Sequence, residues 1–417
     1  MPGMAIAPPL VATRIDGMAS PIQTKQRYLE MLNLFRILAC LVVVSQHAFI
    51  WTGMSTNVVG SGFIAMLHLS RNAFFFLTGL VVCYSQIVHP RTRNDFWKRR
   101  YLELGVPYLT WTAIYLVFNL ITIGVTWEEL GVYLRHNLIL GYSQMYAVFV
   151  IFQFYLVFPF LLRVIQKINR PFIVMSTSAI FATIVSIALH YPSWFPPITH
   201  VIHWANRWVP SGRDFFVYQV FFVAGMLVAV HIDEVLTFVS RHYRGILAST
   251  VAVGLLMVSW YGFQVADGGN VARASDDYEP QAVLWCLAAV AGLFTLSFLW
   301  DRRVQRSASI STRNSGRLVA YGAGITGGFF FAHNIFLTMT RAFLNHIGLT
   351  NHLSWEVEVP LLLVVTIMLT VPFVALVLRT PLRWVLGGPD RSLQRASYPS
   401  ADVDLSPTKK TAFHPYR

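Results

Sequence analysis

Charge is what this chain has least of. Only 12% of its 417 residues are Asp, Glu, Lys or Arg, about half the share that coats an ordinary soluble domain. Hydrophobic residues make up 55%, and the mean hydropathy is +0.54. A water-facing surface for a chain of this length cannot be assembled from so few charges. Cysteine is nearly absent too. Cys40, Cys83 and Cys286 each lie in an apolar run without a CxxC-type neighbour, which argues against a disulfide framework or a zinc cluster and leaves them as packing residues. No metal site is expected. A compact basic patch is also missing: the formal net charge of +13 is scattered between apolar runs, whereas a nucleic-acid binder gathers its charge on one water-facing surface. Nucleic acid is therefore not expected as a partner.

What the sequence does hold is apolar segments of bilayer length. A spanning helix needs about 20 mostly apolar residues, because lipid offers no partner for an unpaired backbone group. Ten stretches qualify, near 30–51, 72–88, 101–124, 143–162, 172–191, 214–232, 245–264, 281–300, 318–341 and 356–378. The expected fold is an all-α integral membrane protein of about ten transmembrane helices. Residues 1–29, with Pro8–Pro9 and no long apolar core, read as a cytoplasmic tail and not as a cleaved signal peptide. Residues 30–380 form the membrane domain, and 381–417, with Gly387, Gly388 and Pro389, read as a disordered cytoplasmic tail. Loops rich in Lys and Arg stay cytoplasmic. With both termini inside, the outer side receives only Arg71, Arg135, Arg207, Arg213, Arg273 and Arg341 of the 32 basic residues. Arg36 lies within the first helix, and the rest fall inside. The outer loops carry Trp194, Trp204, Trp208 and the acidic run Asp276-Asp277-Tyr278-Glu279 instead.

Ionisable groups inside spans are costly enough to suggest function. Arg36 and His47 stand eleven residues apart in the first span. At 3.6 residues per turn this is three turns with only about 20° of drift and a rise of roughly 16 Å, so the two share one helix face at two depths. Lipid snorkelling of Arg36 and packing of His47 are the plain alternatives. His333, in the ninth span, falls at a depth similar to that of His47, where it could face the same cavity or bond helix to helix. The segment from Phe96 to Tyr108 opens the third span with Lys98, Arg99 and Arg100. This is an ordinary positive-inside cluster that would also suit a phosphate-bearing cytoplasmic ligand.

Taken together, these segments resemble the membrane acyltransferase 3 family. The first helix has the family's arginine, ten residues, then histidine, as Arg36 and His47. The second carries Phe74-Phe75-Phe76-Leu77-Thr78-Gly79 where the family has a phenylalanine run into Leu-Ser-Gly. Lys98, Arg99, Arg100, Pro107 and Tyr108 match the basic run ending in Pro-Tyr, and Gln153-Phe154-Tyr155-Leu156-Val157-Phe158-Pro159 matches the fourth-helix signature. Phe331 and His333 supply the late aromatic-histidine pair. Glu103 stands where many members have a second arginine, Ile151 or Phe152 replaces an acidic residue, and Asn33 takes the place of an aspartate.

The resemblance implies an O-acyltransferase of a bacterial inner membrane that moves an acyl group, often acetyl, from acyl-coenzyme A to a hydroxyl of a glycan, a lipid or a small molecule. It implies no bound cofactor, acyl-coenzyme A being the donor substrate. The donor phosphates would lie near Lys98, Arg99 and Arg100, with Arg36 further in. His47 would act as general base or carry the acyl group, and His333 would assist or orient the acceptor. Asn33, Gln46 and Tyr155 are the candidate substrate-binding residues, Asn33 and Gln46 as oxyanion or positioning donors. The outer segment from Tyr191 to Arg213, with Pro192, Pro196, Pro197, His200 and His203, could contact the acceptor or anchor at the interface. The rival reading is a proton-coupled transporter or flippase for a glycan or lipid, which would need broken helices in two matching halves. The glycine-rich start of the ninth span, Gly322 to Gly328, is the one break the sequence suggests.

Overall fold

Apolar runs of this length can satisfy their backbone groups in lipid only by becoming helices. The structure, a computed structural model, describes residues 21–123, 126, 129, 131–132, 143–194 and 215–387, and side chains among them except those of 21–29, 123, 192 and 351. No strand occurs among the described residues. The helices are α1 (Pro21–Trp51), α2 (Val58–Leu67), α3 (Leu69–Val88), α4 (Arg93–Ile123), α5 (Tyr146–Ile168) and α6 (Pro171–His190). After them come α7 (Phe215–Val230), α8 (Ile232–Ala266), the single turn α9 (Val271–Ala274), α10 (Pro280–Arg306), α11 (Ile310–His346) and α12 (Trp355–Arg379).

Eight helices are long and apolar enough to cross a membrane: α1, the joined α2 and α3, α4, α5, α6, α8, α10 and α12. The chain is thus a multi-pass membrane protein. The other two expected stretches also fall on helices. α7 has only 16 residues, and α11 is diluted by its glycines and by His333 and Asn334. Large apolar side chains such as Leu109, Val117 and Ile121 on α4 and Leu255, Leu256 and Phe263 on α8 are exposed, as the lipid-facing sides of spans must be.

Three boundaries differ from expectation. α1 begins at Pro21, so the last residues of the expected tail are helical. The second span begins well before residue 72, because His68 keeps helical backbone angles (φ −59°, ψ −16°) between α2 and α3; this places Arg71 inside a rod and not in an outer loop. The chain after α12 also does not unravel at 381. Residues Pro381–Leu386 form a 3-10 helix held to α4 by the Trp111 indole, which donates to the Val385 carbonyl at 3.0 Å. Leu386 is buried in the same cluster as Tyr108 and Trp111.

The tightest packing is between α3 and α7. Gly79 lies against the Phe222 carbonyl and Gly225 against the Phe76 carbonyl, so close that any Cβ would overlap backbone. Without a water-driven hydrophobic force between helices in lipid, small residues that let backbones touch supply much of the association. Around this crossing Phe154 and Phe222 stack with ring centroids 4.4 Å apart, and Phe75 packs on Phe154 and Tyr218. Gly79→Ala and Gly225→Ala should each cost about 1–3 kcal/mol through overpacking, read as a lower melting temperature in detergent. Gly324→Ala, with open space around it, should melt like the parent.

Candidate functional site

α1 buries Phe35, Ala39, Val44 and Ala48 completely. Beside that seam the order Arg36, Cys40, Val43, His47 climbs one helix face at i, i+4, i+7 and i+11. α11 runs parallel to it in a steady register. Ile37 packs on Gly322, the Cys40 thiol lies 3.7 Å from the Thr326 carbonyl, and the Trp51 indole donates to Asn334 Oδ1 at 3.1 Å. Between the last two contacts the His47 and His333 rings meet, with centroids 5.4 Å apart and planes tilted by 41°. The two histidines expected at similar depth are therefore neighbours. Arg36 falls near the level of Gly322, against which its neighbour Ile37 packs. Among the described residues no carboxylate pairs with Arg36.

His333 is fully buried. Its Nδ1 sits 3.1 Å from the Phe329 carbonyl and 2.9 Å from that of Phe330. Carbonyls only accept, so Nδ1 carries the proton, and in the neutral ring Nε2 is left as a bare lone pair. That Nε2 is buried without a hydrogen-bond partner among the described residues. The next carbonyl, of Phe331, accepts from the Tyr115 hydroxyl at 2.8 Å, and Gln144 donates to the same hydroxyl. Tyr115 and Gln144 thus brace the strip of α11 that carries His333. Neither is marked by the sequence, since a lone tyrosine within a span and a glutamine at the start of one carry no local signature.

Several expected residues lie elsewhere. Asn33 is fourteen residues below His47 on α1, a rise of roughly 21 Å, so it cannot donate to an oxyanion formed there. Gln46 points the other way. Its amide nitrogen donates to His68 Nδ1 at 3.1 Å and its oxygen accepts from Ser70 at 2.7 Å, while His68 Nε2 donates to the Ser275 carbonyl at 2.8 Å. Both ends of that amide are already used in tying α1 to the α2–α3 junction. Tyr155 is a packing residue between α4 and α5, edge-on to Phe96 and Tyr101, its carbonyl accepting from the Trp97 indole. At the start of α4, Lys98 is exposed. Arg99 Nε bonds Glu103 at 2.5 Å and Arg100 Nη1 bonds the same carboxylate at 3.3 Å, so Glu103 offsets part of the charge of this cluster.

A second polar centre was hidden from the sequence by the misplaced start of the second span. Arg71 pairs with Asp277, donates to the Tyr146 hydroxyl at 2.9 Å and lies over the Tyr218 ring at 5.2 Å. The acidic run is thus folded inward. Glu279 is buried and bonded by His190 Nε2 at 3.1 Å and Gln264 at 2.7 Å. Burial would raise its carboxyl pKa, yet these hydrogen bonds hold it below the usual range. Arg273 caps the His190 carbonyl and lies over Tyr191, which stacks on Trp194. Pro196, Pro197, His200 and His203 of the expected acceptor segment lie outside the described residues. Arg71→Met should strand Asp277 and lower stability by about 1–3 kcal/mol, less than for a fully dry pair because both side chains keep some exposure. Melting in detergent checks this, and Arg71→Met with Asp277→Leu should recover part of the loss.

Among known proteins, a family model described as an acyltransferase domain matches residues 29–379. No curated protein and no solved structure matches the chain.

Proposed function

Because the chain belongs to the membrane acyltransferase 3 family, we propose that it is an O-acyltransferase taking an acyl group, acetyl first among candidates, from acyl-coenzyme A to a hydroxyl of a glycan, lipid or small molecule. The observation that carries this reading is the His47–His333 ring pair, with Arg36, which no carboxylate pairs among the described residues, lower on the same face of α1. Acyl transfer from a thioester needs a base for the acceptor hydroxyl and a held donor. A cation about 16 Å below the base suits a donor whose phosphates stay near one leaflet while its long arm reaches inward.

In the proposed step His47 accepts the hydroxyl proton while the acceptor oxygen attacks the thioester carbonyl. The C–O bond forms, the tetrahedral oxyanion collapses, the C–S bond breaks, and the coenzyme A thiolate leaves and takes up a proton. A neutral imidazole suits this role because its unperturbed pKa is near neutrality. His333, with its Nε2 left as a lone pair and its ring beside His47, would help orient the acceptor hydroxyl. Direct transfer and an acyl-histidine intermediate on His47 both fit this arrangement.

The topology we propose has ten spans with both termini cytoplasmic, supported by the Lys and Arg distribution, in a bacterial inner membrane. It puts Arg36, Lys98, Arg99 and Arg100 on the donor side and the histidine pair in the outer half. The transporter alternative is weakened by α11, which runs unbroken from Ile310 to His346 through its glycines. His47→Ala should abolish transfer of label from acyl-coenzyme A in membranes, and His333→Ala should slow it by roughly 10²–10⁴-fold, with both variants inserted at parent levels. Full activity in His47→Ala would remove the base assignment.

A further inference from the structure

Two hollows join on the outside of α8. The first, of about 430 Å³, is lined by Asp233, Glu234, Thr237, Phe238, Arg241 and His242. The second, of about 310 Å³, shares Phe238 and His242 and continues over Gly245 and Ser249 to Ala288 and Ala291 of α10. Together they make one furrow that leads from charged residues into an apolar trough. Asp233, Glu234, Arg241 and Arg244 are exposed, and so, further along α8, are Val251, Leu255 and Leu256. Ionised side chains stay at headgroup depth and bare aliphatic ones belong in hydrocarbon, so the furrow crosses that boundary. Small residues cut the trough, and its floor is fixed. Thr250 Oγ1 donates to the Ala288 carbonyl at 2.9 Å, and the same side chain lies where a Cβ on Gly292 would overlap it. The upper wall is held as well, by the His242 ring stacked on Phe238 with centroids 4.5 Å apart and its Nδ1 3.0 Å from the Phe238 carbonyl.

The charges along the furrow follow a fixed order. Asp233 and Glu234 stand at the water end, in the first turn of α8. Glu234 meets the His231 ring at 3.4 Å and still has 77% of its side chain exposed. Arg241 comes about two turns deeper, and among the described residues no carboxylate pairs with it. Carboxylate, guanidinium and apolar trough, in that order from the water inward, are the complement of an ammonium, a phosphate and an acyl chain. We infer that this furrow binds a zwitterionic phospholipid with a primary amine, the phosphatidylethanolamine class. Its ammonium has three donors for Asp233 and Glu234, its phosphate suits the fork of Arg241, and one acyl chain lies over Gly245 and Ser249 against Ala288 and Ala291. A choline headgroup has no N–H to offer the carboxylates, and a glycerol headgroup brings them no cation. Exposed ion pairs are each worth little, so the furrow selects among lipids more than it stabilises the fold.

The test uses the full-length protein in detergent, with native mass spectrometry to count bound lipid. Phosphatidylethanolamine, phosphatidylcholine and phosphatidylglycerol are added with identical acyl chains. The parent is expected to prefer phosphatidylethanolamine over either of the others by about threefold or more, as one or two exposed ion pairs allow. Asp233→Asn combined with Glu234→Gln should bring phosphatidylethanolamine down to the level of phosphatidylcholine. Arg241→Gln should weaken both of these lipids, and Ala291→Leu, which fills the trough, should weaken all three. Melting with and without lipid, each variant against its own lipid-free sample, separates lost binding from lost folding. A parent that takes up the three lipids equally, or that prefers phosphatidylglycerol, would overturn the inference without recourse to any variant. Folded variants that keep the parent's preference would overturn it too.

Discussion

In lipid a polar side chain has to find its partner within the protein, and the arrangement of α1 and α11 follows from how that demand is met. The two helices lie parallel, and each contact fixes the next, from Ile37 on Gly322 to Trp51 on Asn334. His47 meets His333 because this register leaves no other height for either. Nδ1 of His333 is consumed by backbone carbonyls of its own helix, which sets the tautomer and aims the free lone pair away from α11. Tyr115 and Gln144 secure the adjoining carbonyl from the other side. The setting of His333 is thus built mainly from main-chain acceptors, which do not rotate away.

Much of this could be read in the sequence wherever one helix sufficed. The alignment of Arg36 with His47 follows from the period of the α-helix alone, and so do the apolar stretches that become spans. What could not be read is which helices touch. Gln46 sits next to His47 and reads as equally available in the sequence, but its azimuth turns it to Ser70 and His68. Asn33 shares a helix with His47 at the wrong height. Hydropathy alone puts Arg71 in an outer loop, because 58–71 is interrupted by polar positions that the fold satisfies internally, Arg71 through Asp277 and Tyr146 and His68 through Ser275.

The chain end teaches a related lesson. Gly387 with its neighbouring glycine and proline reads in the sequence as the start of a structureless tail, yet Gly387 is the left-handed stop of a helical turn. Pro381 at its start and Thr380, whose hydroxyl accepts from the Leu382 amide at 3.1 Å, are the signals that mark the turn. They are short-range cues, and they gain meaning only once Trp111 supplies a partner for Val385.

The crossing of α3 and α7 has a mechanical consequence. Where two backbones touch with no side chain between them, neither helix can slide or roll past the other without breaking contact along the whole seam. That pair behaves as a fixed keel, so any breathing that admits a bulky substrate has to come from helices joined by longer side chains.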